Sequence, residues 1–377
     1  MPDIAALSQR QDVVVYLNGQ YIPGSEARVG VMTHALAYGT GVFEGIRGYW
    51  NQERDEVYLF RLRDHFERMH QSARIMDIHL PYSVDQLMEI AVELVRRNSY
   101  HENVYVRPFA YKADEIIGVR LDNLHDHFTM YCVPMGDYVS TAGLRCGVSS
   151  WRRVDDNMIP ARAKVSGAYV NSALAKTEAT KNGFDEAIML SNEGHVCEGS
   201  AENLFALIGD ELVTPPPSEN ILVGVTRDTV MRLAKEQLGK PVRERVIDRT
   251  ELYIAREVFL TGTGAQIAPV VEIDHRPVGT GRIGPIAEAI QRLYADVVRG
   301  RRAEYQDWLQ PCHATAAQPT TAKVAAHANG HANGHNGHGK NGHAATRATN
   351  GANGNGAHAA NGTGSRPARS GTSAKSR

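Results

Sequence analysis

His195-Val-Cys-Glu198-Gly-Ser-Ala-Glu-Asn-Leu-Phe205, together with Lys164-Val-Ser-Gly-Ala-Tyr169 upstream, is the stretch around which this chain is organised. An acid, Glu198, is followed at once by Gly199, Ser200 and Ala201, and then by Asn203 and a strand-like Leu204-Phe205-Ala-Leu-Ile208. So many small residues beside one acid suit a backbone passing close to something flat. Glu186-Ala-Ile-Met-Leu190, Asn192-Glu-Gly194 and Val196 read as strand, turn and strand, and they deliver Glu198. A helix is predicted from Ala168 to Lys181, stopped by Asn182-Gly183.

A lysine, a tyrosine and a carboxylate are the side chains that a pyridoxal phosphate site needs. The amine condenses with the cofactor aldehyde, and the tyrosine meets the ring's phenolic oxygen. A carboxylate facing the pyridine nitrogen holds it protonated, so that the ring can take electrons from a carbanion. Alone, a lysine in Ala-Arg-Ala-Lys164 reads as a surface residue. The spelling is more specific. Glu198-Gly-Ser-Ala-Glu-Asn-Leu-Phe, Leu212-Val-Thr-Pro-Pro-Pro and Ile221-Leu-Val-Gly-Val-Thr-Arg-Asp228 together resemble the signature of the class IV, or fold type IV, aminotransferases. Thr33-His-Ala-Leu-Ala-Tyr-Gly-Thr-Gly-Val-Phe-Glu-Gly-Ile-Arg47 and Tyr105-Val-Arg-Pro108 narrow the resemblance to branched-chain amino acid aminotransferases. It runs from Tyr16 to Leu309.

The resemblance implies an α/β (α+β) two-domain protein of the D-amino acid aminotransferase-like fold, a homodimer or higher homo-oligomer. Its cofactor would be pyridoxal 5′-phosphate. Its reaction would be reversible amino transfer between L-leucine, L-isoleucine or L-valine and 2-oxoglutarate. Lys164 would be catalytic, holding the cofactor and then, as a free amine, moving the substrate Cα proton. Arg61, Tyr169, Glu198, Val225, Thr226 and Thr263 would bind the cofactor with it, Arg61 and the three last-named at or beside the phosphate. Phe43, Tyr38, Tyr105, Arg107, Gly264 and Ala265 would bind substrate, with Arg107 pairing the distal carboxylate of glutamate. The loop Asp114–Leu121 would reach a neighbouring subunit's pocket. Met135 stands where bacterial members carry an aromatic residue, which leaves the order of leucine, isoleucine and valine open. The alternatives on this fold are a D-amino acid or (R)-amine transaminase or aminodeoxychorismate lyase. A catalytically silent interaction protein is the reading from another class.

Elsewhere the chain reads plainly. Its 377 residues, 42% apolar and 22% charged, suffice for two packed domains. Of 41 Lys and Arg, seven lie from Cys312 onward, where there is no acid, so the remainder is mildly acidic and nucleic acid is an unsuitable partner. Four separated cysteines form no CxxC pair, so no metal site or disulfide framework is expected, and a reduced cytoplasm is the natural setting. No apolar run is long enough to span a bilayer.

Asn18-Gly19 predicts a hairpin. Leu62, Phe66, Met69, Ala73 and Met76 recur at helical spacing as a core stripe, and Ser83 with Gln86 spells a capping box. Tyr105 and Arg107 alternate with Val104 and Val106, so they share a strand face. Gly224 and Val225 precede a helix whose free N–H groups make an anion site, although an ordinary Thr cap is the plainer reading. The expected organisation is a small domain over 1–136, a connection over 137–143, and a larger cofactor-binding domain over 144–311. An Ala, Gly, Asn and His-rich tail over 312–377 cannot bury enough apolar surface to fold and is expected to be disordered, with at most weak metal affinity in its histidines.

Overall fold

In this computed structural model, which describes residues 13–136 and 143–313, Asn18 and Gly19 take φ of 45° and 93°. They close the hairpin between Val14–Leu17 and Gln20–Pro23. That hairpin is one edge of an eight-stranded antiparallel sheet. Inward from it come Asp126–Pro134, Val104–Lys112, Ile46–Asn51, Glu56–Phe60 and Leu309–Pro311, with Gly41–Phe43 also paired to Val104–Lys112. Helices Leu62–Ile75 and Val84–Asn98 share a core with it, Leu62, Phe66, Met69 and Ala73 packing with Leu87, Ala91, Leu94 and Val95. Ser83 and Gln86 form the predicted capping box.

The second sheet has nine strands. Their order is Val196–Gly199, Glu186–Leu190, Leu144–Arg152, Gln266–Ile273, Glu257–Gly262, Asn203–Ile208, Glu211–Thr214 and Val242–Glu244, with Arg276–Pro277 on Gln266–Ile273. Glu198 also pairs across to Asn203, which joins the first strand of that row to the sixth. Six strands therefore close into a ring, and Glu198 sits at the seam.

The two halves share a core. Tyr49, Tyr58 and Phe60 of the first sheet pack with Phe205, Phe259 and the helices Val225–Leu238 and Pro285–Val298. With that apolar seam, the described residues of both halves fall within one compact unit. One difference from the expected organisation lies at the chain's far end, at the boundary after Pro311. Leu309–Pro311 pairs with Glu56–Phe60 of the first sheet, and Cys312 is fully buried in that sheet's core. Glu56 Oε1 accepts from the N–H groups of Cys312 and His313 at 2.8 and 2.6 Å. Strand pairing over such a sequence separation leaves no mark in local composition. Most of the expected connection, 137–142, and the tail from 314 lie outside the described residues.

Candidate active site

Lys164 lies on the loop between Leu144–Arg152 and helix Tyr169–Lys181. Phe43 N–H donates to the Lys164 carbonyl at 3.1 Å, and Ser72 Oγ accepts from Lys164 N–H at 3.1 Å. Gly39, at φ 68°, runs so close to Gly167 that a Cβ on it would come within 2.7 Å of the Gly167 Cα. The glycine-rich segment is thus the bed on which the lysine loop rests. Lys164 Nζ donates to Tyr169 Oη at 2.7 Å and stands 5.1 Å from the centre of the Phe43 ring.

Glu198 is buried at the ring's seam. Its Oε1 is 3.0 Å from Arg153 Nε, and its Oε2 accepts from Asn203 Nδ2 at 3.1 Å and Leu222 N–H at 3.2 Å. Burial pushes the carboxyl up, and the Arg153 charge works against that rise. Lys164, Tyr169 and Glu198 line one cavity of about 380 Å³.

The anion end of that cavity differs from expectation in one residue. Val225 and Thr226 line it at the start of their helix, whose N-cap, Gly224, offers no side chain to the free N–H groups. Arg61 does not reach the cavity. Its guanidinium is held by Asp64 at 2.6 Å, in the first turn of its own helix, and by Asp228 at 2.6 Å, in the first turn of the next. Its remaining directions go to Val225 O and Thr229 Oγ1, so Arg61 ties two helices together. Arg68, two turns further along, lines the cavity instead.

Tyr105 and Arg107, which also line the cavity, project from one face of their strand, and Arg107 Nη2 donates to Tyr105 Oη at 2.8 Å. The Arg107 guanidinium lies 4.4 Å from the centre of the Phe43 ring. A Cβ at Gly45 would fall 2.2 Å from the Tyr105 hydroxyl, so that position has room only for glycine. Thr263, Gly264 and Ala265 form the turn between Glu257–Gly262 and Gln266–Ile273, and all three line the cavity. Buried Arg47 braces that turn from behind, donating to Gly264 O at 3.3 Å and to the carbonyls of Met135 and Gly136 at 3.0 and 2.6 Å. Tyr38 is the second correction. It is 38% exposed, its ring lies 4.6 Å from that of His34, and its hydroxyl accepts from Gly118 N–H at 3.2 Å. It stands with the 114–121 loop, outside this chain's own cavity.

The family model for class IV amino-transferases matches residues 41–273, from Gly41 to the end of the strand Gln266–Ile273. The chain belongs to the class IV aminotransferase family. Among its relatives is a probable branched-chain-amino-acid aminotransferase of Aquifex aeolicus, 47% identical over 299 residues, 79% of this chain and 96% of that one. A solved branched-chain aminotransferase of Thermoproteus uzoniensis with norvaline has a TM-score of 0.77 at 44% identity, covering 80% of this chain and 99% of its own. One of Thermobaculum terrenum in its PLP-form has a TM-score of 0.77 at 38% identity, covering 81% and 99%. The class IV aminotransferase fold expected from the motifs is therefore the fold observed.

For a class IV aminotransferase the donor set suits a flat, anionic ligand. An arginine and an uncapped helix start offer an anion site, a buried carboxyl can face a ring nitrogen, and the lysine amine stands beside a phenol. Two buried atoms in the wall, Thr261 Oγ1 and Arg107 Nε, have no hydrogen-bond partner among the described residues and would be satisfied by a polar ligand. The residues present fit pyridoxal 5′-phosphate. Sequence reasoning missed Arg68, although a signal existed: His65, Arg68 and Ser72 recur at i, i+3 and i+7, beside the apolar stripe. It assigned no role to Arg153 or to Glu202, a wall carboxyl that burial, with Glu186 adding, pushes up to about 8.

Proposed function

We propose that this chain is a branched-chain-amino-acid transaminase that uses pyridoxal 5′-phosphate to move an amino group reversibly between L-leucine, L-isoleucine or L-valine and 2-oxoglutarate. The observation that carries the reading is the meeting of Lys164, Tyr169 and Glu198 on one cavity, with Lys164 Nζ 2.7 Å from Tyr169 Oη. When bound, the cofactor supplies the carbon that receives the amino group and a ring that accepts electrons from the substrate Cα. Lys164 is its point of attachment and, once displaced, the base at the substrate Cα–H. Glu198 keeps a proton on the ring nitrogen facing it. Arg68, the N–H groups of Val225 and Thr226, and Thr263 hold the phosphate. The turn Thr263–Ala265 and the Tyr105 hydroxyl take the α-carboxylate, and Phe43 walls the apolar side chain.

Arg107 gives the site its second substrate, because a fixed cation at the edge of an apolar pocket can pair with a distal carboxylate. The expected result for Arg107→Leu is a kcat/KM for glutamate lowered about 100-fold, with leucine changed less than about threefold. A steady-state screen of L-leucine, L-valine, L-glutamate and D-alanine checks it. Preference for D-alanine would favour a D-amino acid transaminase instead.

A homodimer accounts for the surface around Tyr38. Val29, Val31, Met32, Leu36, Ile116, Ile117 and Val119 are exposed on the two segments that His34 and Tyr38 tie together, Val31 by 86% and Val119 by 87%. Contiguous apolar surface of this kind marks an interface. Val31→Glu with Ile117→Glu is expected to give a monomer by analytical ultracentrifugation, with amino transfer lost if Tyr38 serves the partner's pocket. A dimer of unchanged stability would sink that assignment. Among the described residues no helix is long and apolar enough to cross a membrane, and all four cysteines are free and buried, which supports a reducing cytoplasm as the setting.

A further inference from the structure

Arg68 is gripped from behind. Glu44, in the glycine-rich segment, is fully buried, and its oxygens accept from Arg68 Nε and Nη2, each at 2.7 Å. Glu44 Oε2 also accepts from His65 Nδ1 at 2.8 Å and lies 3.3 Å from Gly45 N–H. The third nitrogen, Arg68 Nη1, donates at 2.8 Å to the carbonyl of Val223, two residues before the helix whose N-terminus opens on the cavity. Burial alone would raise the Glu44 carboxyl, but Arg68 and His65 outweigh it and hold the group well below the usual carboxylate range. Burial lowers His65, and Glu44 only partly opposes the fall; facing a carboxylate oxygen, His65 Nδ1 is the donor of that pair.

A carboxylate beside an anion-binding arginine subtracts from the arginine's pull. An ion pair serving stability alone could be replaced by apolar side chains at little cost. Geometry supplies the reason. A free arginine loses rotamer entropy when it binds, and a bidentate carboxylate fixes its planar fork before any ligand arrives. Helix Leu62–Ile75 contributes His65 and Arg68 from one face, and the strand Gly41–Phe43 ends directly at Glu44, so the grip is made by two rigid elements.

We infer that Glu44, backed by His65, is a positioning residue that sets the Arg68 guanidinium for the phosphate of a pyridoxal-type ligand. This rests on the proposed cofactor and goes one shell beyond it. Two ligands separate the roles: pyridoxal 5′-phosphate, and pyridoxal, which lacks the phosphate. Dissociation constants are measured by fluorescence titration of the full chain stripped of cofactor. Wild type is expected to favour pyridoxal 5′-phosphate by at least about 100-fold. Glu44→Ala is expected to weaken that ligand about 10- to 100-fold while pyridoxal changes less than about twofold. Glu44→Gln, which keeps the shape and one acceptor, falls between and serves if the alanine variant does not fold. Equal weakening of both ligands would mean a merely structural role, and unchanged or tighter phosphate binding would mean that Glu44 only opposes Arg68; either overturns the inference. A wild type without phosphate preference would instead remove the cofactor reading itself.

Discussion

Lys164→Ala is expected to lower amino transfer by at least about 10⁴-fold, with no change in fold, because in the proposed mechanism it removes both the attachment point and the proton-moving amine. The residue stands on a loop held by backbone contacts to Phe43 and Ser72, neither of which needs its side chain. Among the described residues its Nζ bonds only to the Tyr169 hydroxyl, so the truncation strands no buried charge there. Circular dichroism and the thermal midpoint should match wild type, and the visible absorption of the attached cofactor should vanish. Transfer above about one per cent of wild type would remove Lys164 from its role.

Glu198→Gln is expected to lower kcat about 10² to 10³-fold, since a neutral amide cannot hold a proton on the nitrogen of a buried ring against desolvation. The variant has a second effect that must be separated from the first. Arg153, 8% exposed, loses its carboxylate partner at 3.0 Å, at a cost of about 1–3 kcal/mol in stability. Arg153→Met combined with Glu198→Gln removes both charges and should recover most of that stability while activity stays low. Urea denaturation beside steady-state kinetics reads both. Activity that returned with stability would make Glu198 a structural residue.

Much of this site was legible because local chemistry constrained it. The Asn18-Gly19 hairpin, the Ser83 capping box and the helix stop at Asn182-Gly183 each follow from local backbone chemistry that few residues can supply. Tyr105 and Arg107 share a face because a strand alternates, and no distant contact can change that parity. Arg61 was misread for the opposite reason. A junction arginine can turn toward a ligand or toward acids, and its choice was made by Asp228, 167 residues away. Arg68 takes its place only from the glycine-rich segment, which sets Glu44 against it.

The sequence by itself determined which elements form, which residues are chemically able to act, and the family to which the chain belongs, since spacing and side-chain type are local and covalent. The tertiary structure alone decided which arginine faces the cavity, that Tyr38 points away from its own pocket, and that residues 309–312 return to the first sheet. Those outcomes depend on contacts between segments far apart in the chain, where the free energy is set by burial and by charge partners rather than by any neighbouring residue.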